Sequence, residues 1–145
     1  MLKIEYPEQN FRFKKTGEKE FIFDVIRRKW VIITPEEWVR QNFLHYLIKV
    51  KNFPASLLSV EKEIVLGELK KRCDIVAYKN NLPWMIIECK EKKIALDEIV
   101  LQQALRYNIS LQVNFLVITN GTISLGLEII DGKVYEISEI PAWNK

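Results

Sequence analysis

Asp74, Glu88 and Lys90 have residue types and spacings that could act together on a phosphate. Residues two apart in a strand share a face, so Glu88 and Lys90 project together while Cys89 turns the other way. Asp74 lies seven residues before position 81 and Glu88 seven after it. A tight hairpin over 79–83 therefore sets the two acids side by side, with Cβ atoms about 5 Å apart. Two carboxylates that close repel unless a cation separates them, and a hard divalent ion, Mg2+ or Mn2+, accepts such oxygen ligands. Lys90, beside the same site, could hold or deprotonate a water or offset phosphate charge. Metal, lysine and carboxylates together are the apparatus of phosphodiester hydrolysis. E-x-K is short and frequent by chance, and the trio also reads as a solvated charge pair. What favours chemistry is that the charges end an apolar run, W-M-I-I-E-C-K, where a buried ion pair is costly.

These residues need elements to hold them. Residues 1–20 are polar and read as an extended arm with a turn at Thr16-Gly17-Glu18. Strands are predicted over Phe21–Ile26 and Trp30–Ile33. Thr34-Pro35-Glu36-Glu37 is a helix start: an N-cap, a proline suited to the first turn, and acids at the positive helix end. That helix runs to about Val50, with Val39, Phe43, Tyr46 and Leu47 as its apolar stripe. After a short turn or helix over 55–59, strands over 61–66, 72–78 and 84–90 make an antiparallel meander with turns at 67–68 and 79–83. A second helix is expected from Leu96 to Ser110, with Ile99, Ala104, Leu105 and Tyr107 among its packing residues. Val113–Thr119 is apolar throughout and reads as a strand buried on both faces. A turn at Asn120-Gly121 and a closing hairpin over 123–137 finish the chain.

Further residues join the trio. Glu36 and Arg40 lie four apart on the first helix and can pair along one face. Gln103 and Tyr107 have the same spacing on the second. In order these give E, D, E-x-K, Q-x-x-x-Y. The set resembles the PD-(D/E)XK nuclease superfamily in its RecB-type Q-x-x-x-Y branch. More closely, the chain resembles the N-terminal nuclease domain of type I restriction enzyme R subunits. The resemblance rests on T-P-E-E-W-V-R-Q (34–41), P-A-S-L-L-S-V-E-K (54–62), K-K-R-C-D-I-V (70–76), I-I-E-C-K (86–90), Q-A-L-R-Y-N (103–108) and V-I-T-N-G (117–121). It spans roughly residues 28–140. It implies an α/β, restriction-endonuclease-like fold: a central mixed sheet flanked by helices, with a metal site at the sheet's split edge. By position it implies Asp74 and Glu88 as ligands of Mg2+ or Mn2+, and Lys90 as the catalytic lysine. Glu36, with Glu37 as the alternative, would be the helix acid near the metal. Gln103 and Tyr107 would orient the site or touch DNA. Cys73 stands where the superfamily's name leads one to expect proline, a position that does not ligate. No P-loop or translocase segment is present, so the domain acts alone or a partner engages the DNA.

Composition sets the outer bounds. At 145 residues with 48% hydrophobic and 28% charged residues, the chain reads as one ordinary globular domain. No apolar run approaches the roughly 20 residues of a membrane helix. The start M-L-K-I-E-Y-P-E does not read as a signal peptide. Two cysteines are too few for a disulfide scaffold, which suits a reduced, cytoplasmic setting. The formal charge of +3 lies wholly in residues 1–34, with eight Lys/Arg against five Asp/Glu. On charge alone this reads as a solvated basic face or a weak nucleic-acid contact, and with the resemblance DNA is the expected partner. Arg27, Arg28, Lys29, Arg40, Lys92 and Lys93 are the backbone-contact candidates, and Arg12, Lys14 and Lys15 extend the basic stretch. Other restriction or defence subunits and a second copy of the chain are further expected partners. The rival readings are a nuclease fold that binds or assembles without cleaving, and an interaction protein with a chance motif. His45, both cysteines, Trp30, Trp38 and Trp84 read as packing residues.

Overall fold

A computed structural model describes residues 1–66, 68–108 and 112–144; the side chains at 66, 69, 107 and 108 fall outside that description. Strands β1 (Phe13–Thr16), β2 (Lys19–Asp24) and β3 (Lys29–Ile32) form a small antiparallel sheet. Helix α1 (Pro35–Lys49) follows. Thr34 Oγ1 accepts from the Glu37 N–H at 3.0 Å, so the predicted cap forms as read. After a 3-10 turn (Ala55–Leu57) come β4 (Leu58–Leu66), β5 (Leu69–Lys79) and β6 (Leu82–Cys89), the expected antiparallel meander. Of its first turn, Gly67 lies outside the described residues. Helix α2 (Glu98–Asn108) then crosses over to β7 (Phe115–Thr119), which runs parallel to β6, and β8 (Ser124–Ile130) and β9 (Lys133–Ile137) close a hairpin. The large sheet is mixed, six strands in chain order with a single parallel pair. This is the α/β arrangement that the sequence resemblance implied.

The turns follow from residue type. Asn80 and Asn81 both take positive φ, 54° and 64°, as the two-residue loop between β5 and β6 requires. Asparagine tolerates that conformation better than branched residues do. Asp131 and Gly132 do the same before β9.

Each face of the large sheet has its own core. Val39, Phe43, Tyr46 and Leu47 of α1 pack on Ile75, Ala77, Met85, Ile87, Cys89 and Val117. On the other face Ala104 of α2 meets Cys73, Val76, Ile86, Leu116 and Ile118, with Val100, Leu101 and Leu105 half-buried beside it. Ile99, expected among the packing residues, is 68% exposed instead, because the helix turns its neighbours Val100 and Leu101 to the sheet. β7 is buried on both sides, which is why its sequence shows no alternation. Among the described residues no helix is long and apolar enough to cross a membrane.

The N-terminal segment departs from the reading as an arm. Residues 1–12 have no regular element, but Phe13 already begins β1. Leu2 is buried, its N–H donates to Ser124 O at 2.9 Å, and Tyr6 stacks edge-on to Tyr46. Gly126 makes room for it, since a Cβ there would lie 3.0 Å from Leu2.

β2 ends at Asp24 rather than Ile26. The Asp24 carboxylate takes the Ile26 and Arg27 N–H groups and turns the chain. It also accepts from Arg27 Nε and Gln41 Nε2, and Arg27 Nη2 reaches Glu37, so the small sheet is pinned to α1. Burial by itself would raise the Asp24 carboxyl. The hydrogen bonds and charge of Arg27 and the Gln41 amide outweigh it and hold the group below its ordinary 3.8. A depressed acid contributes stability above the unfolded value and loses it as pH falls through the folded one. Asp24→Asn should therefore cost about 1–3 kcal/mol at pH 7. Urea melts of the two proteins should converge as pH falls below about 3.8. A gap unchanged at pH 3 would show that the charge contributes nothing.

Candidate active site

The β5–β6 register shifts between Ala77 and Tyr78 and reaches Ile75↔Ile87, so Asp74 and Glu88 follow as neighbours at the end of the ladder, which simple hairpin symmetry does not account for. Their side chains nevertheless leave the ladder on different sides. Ile87 and Cys89 pack toward α1, so Glu88 between them projects with Ile86 to the α2 side. Asp74 reaches α1: its Oδ1 accepts from Arg40 Nη2 and its Oδ2 from the Cys89 N–H, both at 2.8 Å. The cause lies on β4. Glu61 takes φ +56°, and the Glu61/Asp74 pair is missing from an otherwise continuous β4–β5 ladder. Cys73 and Ile75, two apart, consequently pack in different cores. A regular strand would put them on one face.

Arg40 gathers the acids on the α1 side. Its guanidinium meets Glu36 (3.3 Å), Glu37 (2.7 Å), Glu61 (2.6 Å) and Asp74 (2.8 Å) while only 5% exposed. Burial opposes its charge, but the Asp74 hydrogen bond and the charges of Glu37, Asp74 and Glu61 hold it protonated. Glu36 has the opposite bias. Burial, then the neighbouring Asp74 charge, push its carboxyl up, and Arg40 and Lys90 only partly compensate.

Glu36, at the edge of this cluster, also lines a cleft of about 690 Å³ together with Glu88, Lys90 and Gln103, and Lys70, Lys71 and Arg72 line it too. Lys90 is fixed just past the strand end by its N–H to Thr119 O at 2.8 Å. Glu88 Oε1 is buried without a hydrogen bond, although Lys71 Nζ stands 2.6 Å away as an ion-pair partner. Of the two neighbouring helix acids, Glu36 faces the cleft and Glu37 is buried between Arg27, Arg40 and Gln41. The backbone of Tyr107 lies in α2, and its side chain is outside the described residues.

The basic residues divide. Arg28, Lys29, Lys92 and Lys93 are exposed. Arg27 and Arg40, expected to meet DNA, are turned inward onto carboxylates, because each has acids within reach along α1. Charge reversal at Arg27 would therefore disturb the fold before it disturbed binding. Both cysteines are buried, and burial raises the thiols, Cys73 to about 11. His45 packs on Phe11 and bonds Glu8 O, and Trp84 packs on the α1-side core. Trp30 and Trp38 are half-buried outside both cores, a correction to their reading as core.

Sequence reasoning passed over Glu61 and Lys71. Glu61 was legible by the same arithmetic as Glu88, since 61 and 74 are symmetric about the turn expected at 67–68 and the β4–β5 pairs Val60↔Ile75 and Lys62↔Cys73 flank them. Lys71 sits in a run of three cations and had no such signal.

The donor chemistry is that of a hard divalent cation: a carboxylate at Glu88, and two carboxylates crowded together at Glu36 and Asp74. As arranged, no three acid, histidine or cysteine side chains among the described residues are close enough to hold one. Lys71 and Arg40 meanwhile neutralise these acids. A family model described as type I restriction enzyme R protein N terminus (HSDR_N) matches residues 35–141. Neither a curated protein nor a solved structure matches the chain.

Proposed function

The chain belongs to the type I restriction enzyme R protein N-terminal family, and on that premise we propose that it is a metal-dependent DNA endonuclease, one nuclease-like domain hydrolysing phosphodiester bonds. The observation that carries this reading is convergence. Glu36 from α1, Glu88 from β6, Lys90 just beyond it and Gln103 from α2 line a single cleft with a cationic rim. Asp74, Glu88 and Glu36 would hold Mg2+ or Mn2+ only after exchanging Arg40 and Lys71, which pair with Asp74 and Glu88 here, for the ion. Such an ion polarises the phosphate and lowers the pKa of a bound water. The chain's own groups do the rest. Lys90 offers its ammonium to the charge that develops on the phosphate oxygens. Gln103 and Tyr107 orient the site. Lys70, Arg72, Lys92 and Lys93 meet neighbouring phosphates. Arg40 holds Asp74 and Glu36 in place from behind. Partners are DNA and, by the family's name, other restriction subunits. The test is supercoiled plasmid incubated with Mg2+, Mn2+ or EDTA. Nicked product with metal and none with EDTA supports the reading.

The second reading is a fold that docks DNA or subunits without cleaving. The side-chain cations on Asp74 and Glu88 favour it, since they neutralise the acids with no metal. Mn2+ separates the two. A ligand that binds only the folded state stabilises it by about 2.7 kcal/mol at 100 times its Kd. Millimolar Mn2+ should raise the melting temperature of wild type and not of Asp74→Ala. No shift in wild type would leave the non-cleaving reading.

DNA affinity should be weak and salt-sensitive. With two or three phosphates neutralised, log K should fall against log salt with a slope of about −2 to −3. Tight binding to one sequence that survives high salt would overturn this and point to base readout.

A further inference from the structure

The small sheet has one face turned into the molecule and one turned out. Ile22 and Asp24 point inward and are fully buried. By alternation Phe21 and Phe23 point outward. The register sets Lys14 beside Phe21 and Ile32 across from it, and Phe23 beside Trp30, with Arg12 joined to Phe23 through its backbone. Three rings and two cations therefore share one face. The Arg12 guanidinium lies 4.7 Å from the Phe23 centroid and 5.4 Å from that of Trp30, and Lys14 Nζ lies 4.9 Å from Trp30. Phe21, Phe23 and Trp30 belong to neither hydrophobic core, and Ile32 beside them is 48% exposed. A sheet does not need three aromatic residues on a face that supports no core.

We propose that this outer face of the β1–β3 sheet is a binding site for single-stranded DNA. Aromatic rings on an open sheet stack with bases of any sequence, and interleaved cations hold the phosphates between them. Duplex bases are already stacked and present only their edges, so the rings favour an unpaired strand. Charge agrees, because the chain's whole net excess lies in residues 1–34. The site lies outside residues 35–141 that match the family model. Asp24–Gln41 and Arg27–Glu37 fasten the sheet to α1, so a strand held here is held in fixed relation to Glu36. The proposal rests on the chain's acting on DNA, not on its cleaving it.

The experiment runs in EDTA at low salt, so cleavage and metal binding play no part, and failure here leaves the plasmid assay untouched. Labelled oligo(dT) and a blunt duplex of equal length are titrated by anisotropy, and oligo(dT) also by tryptophan fluorescence. Wild type should bind the single strand about tenfold tighter than the duplex, the effect of one stacked base. Binding should quench fluorescence, and the quench should vanish in Trp30→Phe and persist in Trp38→Phe. Trp30→Ala should weaken single-strand binding about tenfold and leave duplex binding unchanged. Should that variant not fold, Lys14→Gln reads the same face and should cost more single-strand affinity than Lys15→Gln, whose residue alternates to the other side. Equal affinity for both DNAs, a quench retained in Trp30→Phe, or equal losses from Lys14→Gln and Lys15→Gln would each overturn the proposal.

Discussion

An Arg40→Met variant is expected to lose about 3–5 kcal/mol of folding stability, the usual cost of removing one partner from a buried charge cluster. That is a large share of the roughly 5–15 kcal/mol by which a domain of this kind is stable. Arg40 is 5% exposed, and the carboxylates it holds come from α1, β4 and β5. Methionine keeps much of the volume but takes from Asp74 its guanidinium partner and leaves Glu37 paired with Arg27. Glu36 and Glu61 are more open to water and should contribute less. Arg40→Lys should recover only part of the loss, because one ammonium cannot fork to four carboxylates. Urea denaturation should show a lower midpoint with an unchanged slope. If a metal ion shares these acids, the loss should shrink in millimolar Mn2+. An Arg40→Met protein as stable as wild type would show that the cluster only breaks even against its desolvation. The unpartnered Arg40 Nε makes that a real contest.

Lys90→Ala should lower plasmid cleavage about 10²–10³-fold, the typical cost of removing one group aimed at transition-state charge. The residue is half-buried at the cleft beside Glu36 and Glu88, with its backbone fixed to β7, so truncation should leave the fold intact. The loss should therefore appear in the rate, with the melting temperature and the Mn2+ response kept. Asp74→Ala should differ, losing cleavage and the Mn2+ response together. Unimpaired cleavage by Lys90→Ala would remove the lysine from the mechanism.

What the sequence determined by itself is mostly local. The cap at Thr34, the turns at Asn80-Asn81 and Asp131-Gly132, and the uniformly apolar β7 each depend on a few adjacent residues whose backbone preferences are strong. Hairpin arithmetic placed Asp74 near Glu88, but the turn alone would have paired the strands one residue out, and a shift between Ala77 and Tyr78 sets the register that ends at Ile75↔Ile87. The collinear motif order pointed to the family that the comparison shows. Tertiary structure decided the rest. One left-handed residue, Glu61, breaks the alternation and sends Asp74 and Glu88 to different sides of the sheet. A side-chain period of two makes face assignment that sensitive to one irregular residue. Helix rotation chose Glu36 for the cleft and Glu37 for the interior, and turned Arg40 from a candidate DNA contact into the counter-ion of four acids. Leu2 docks against Gly126 because of space left 124 residues away. These outcomes depend on which surfaces meet after the chain folds, and pairings over that distance leave no periodic trace in the residues that make them.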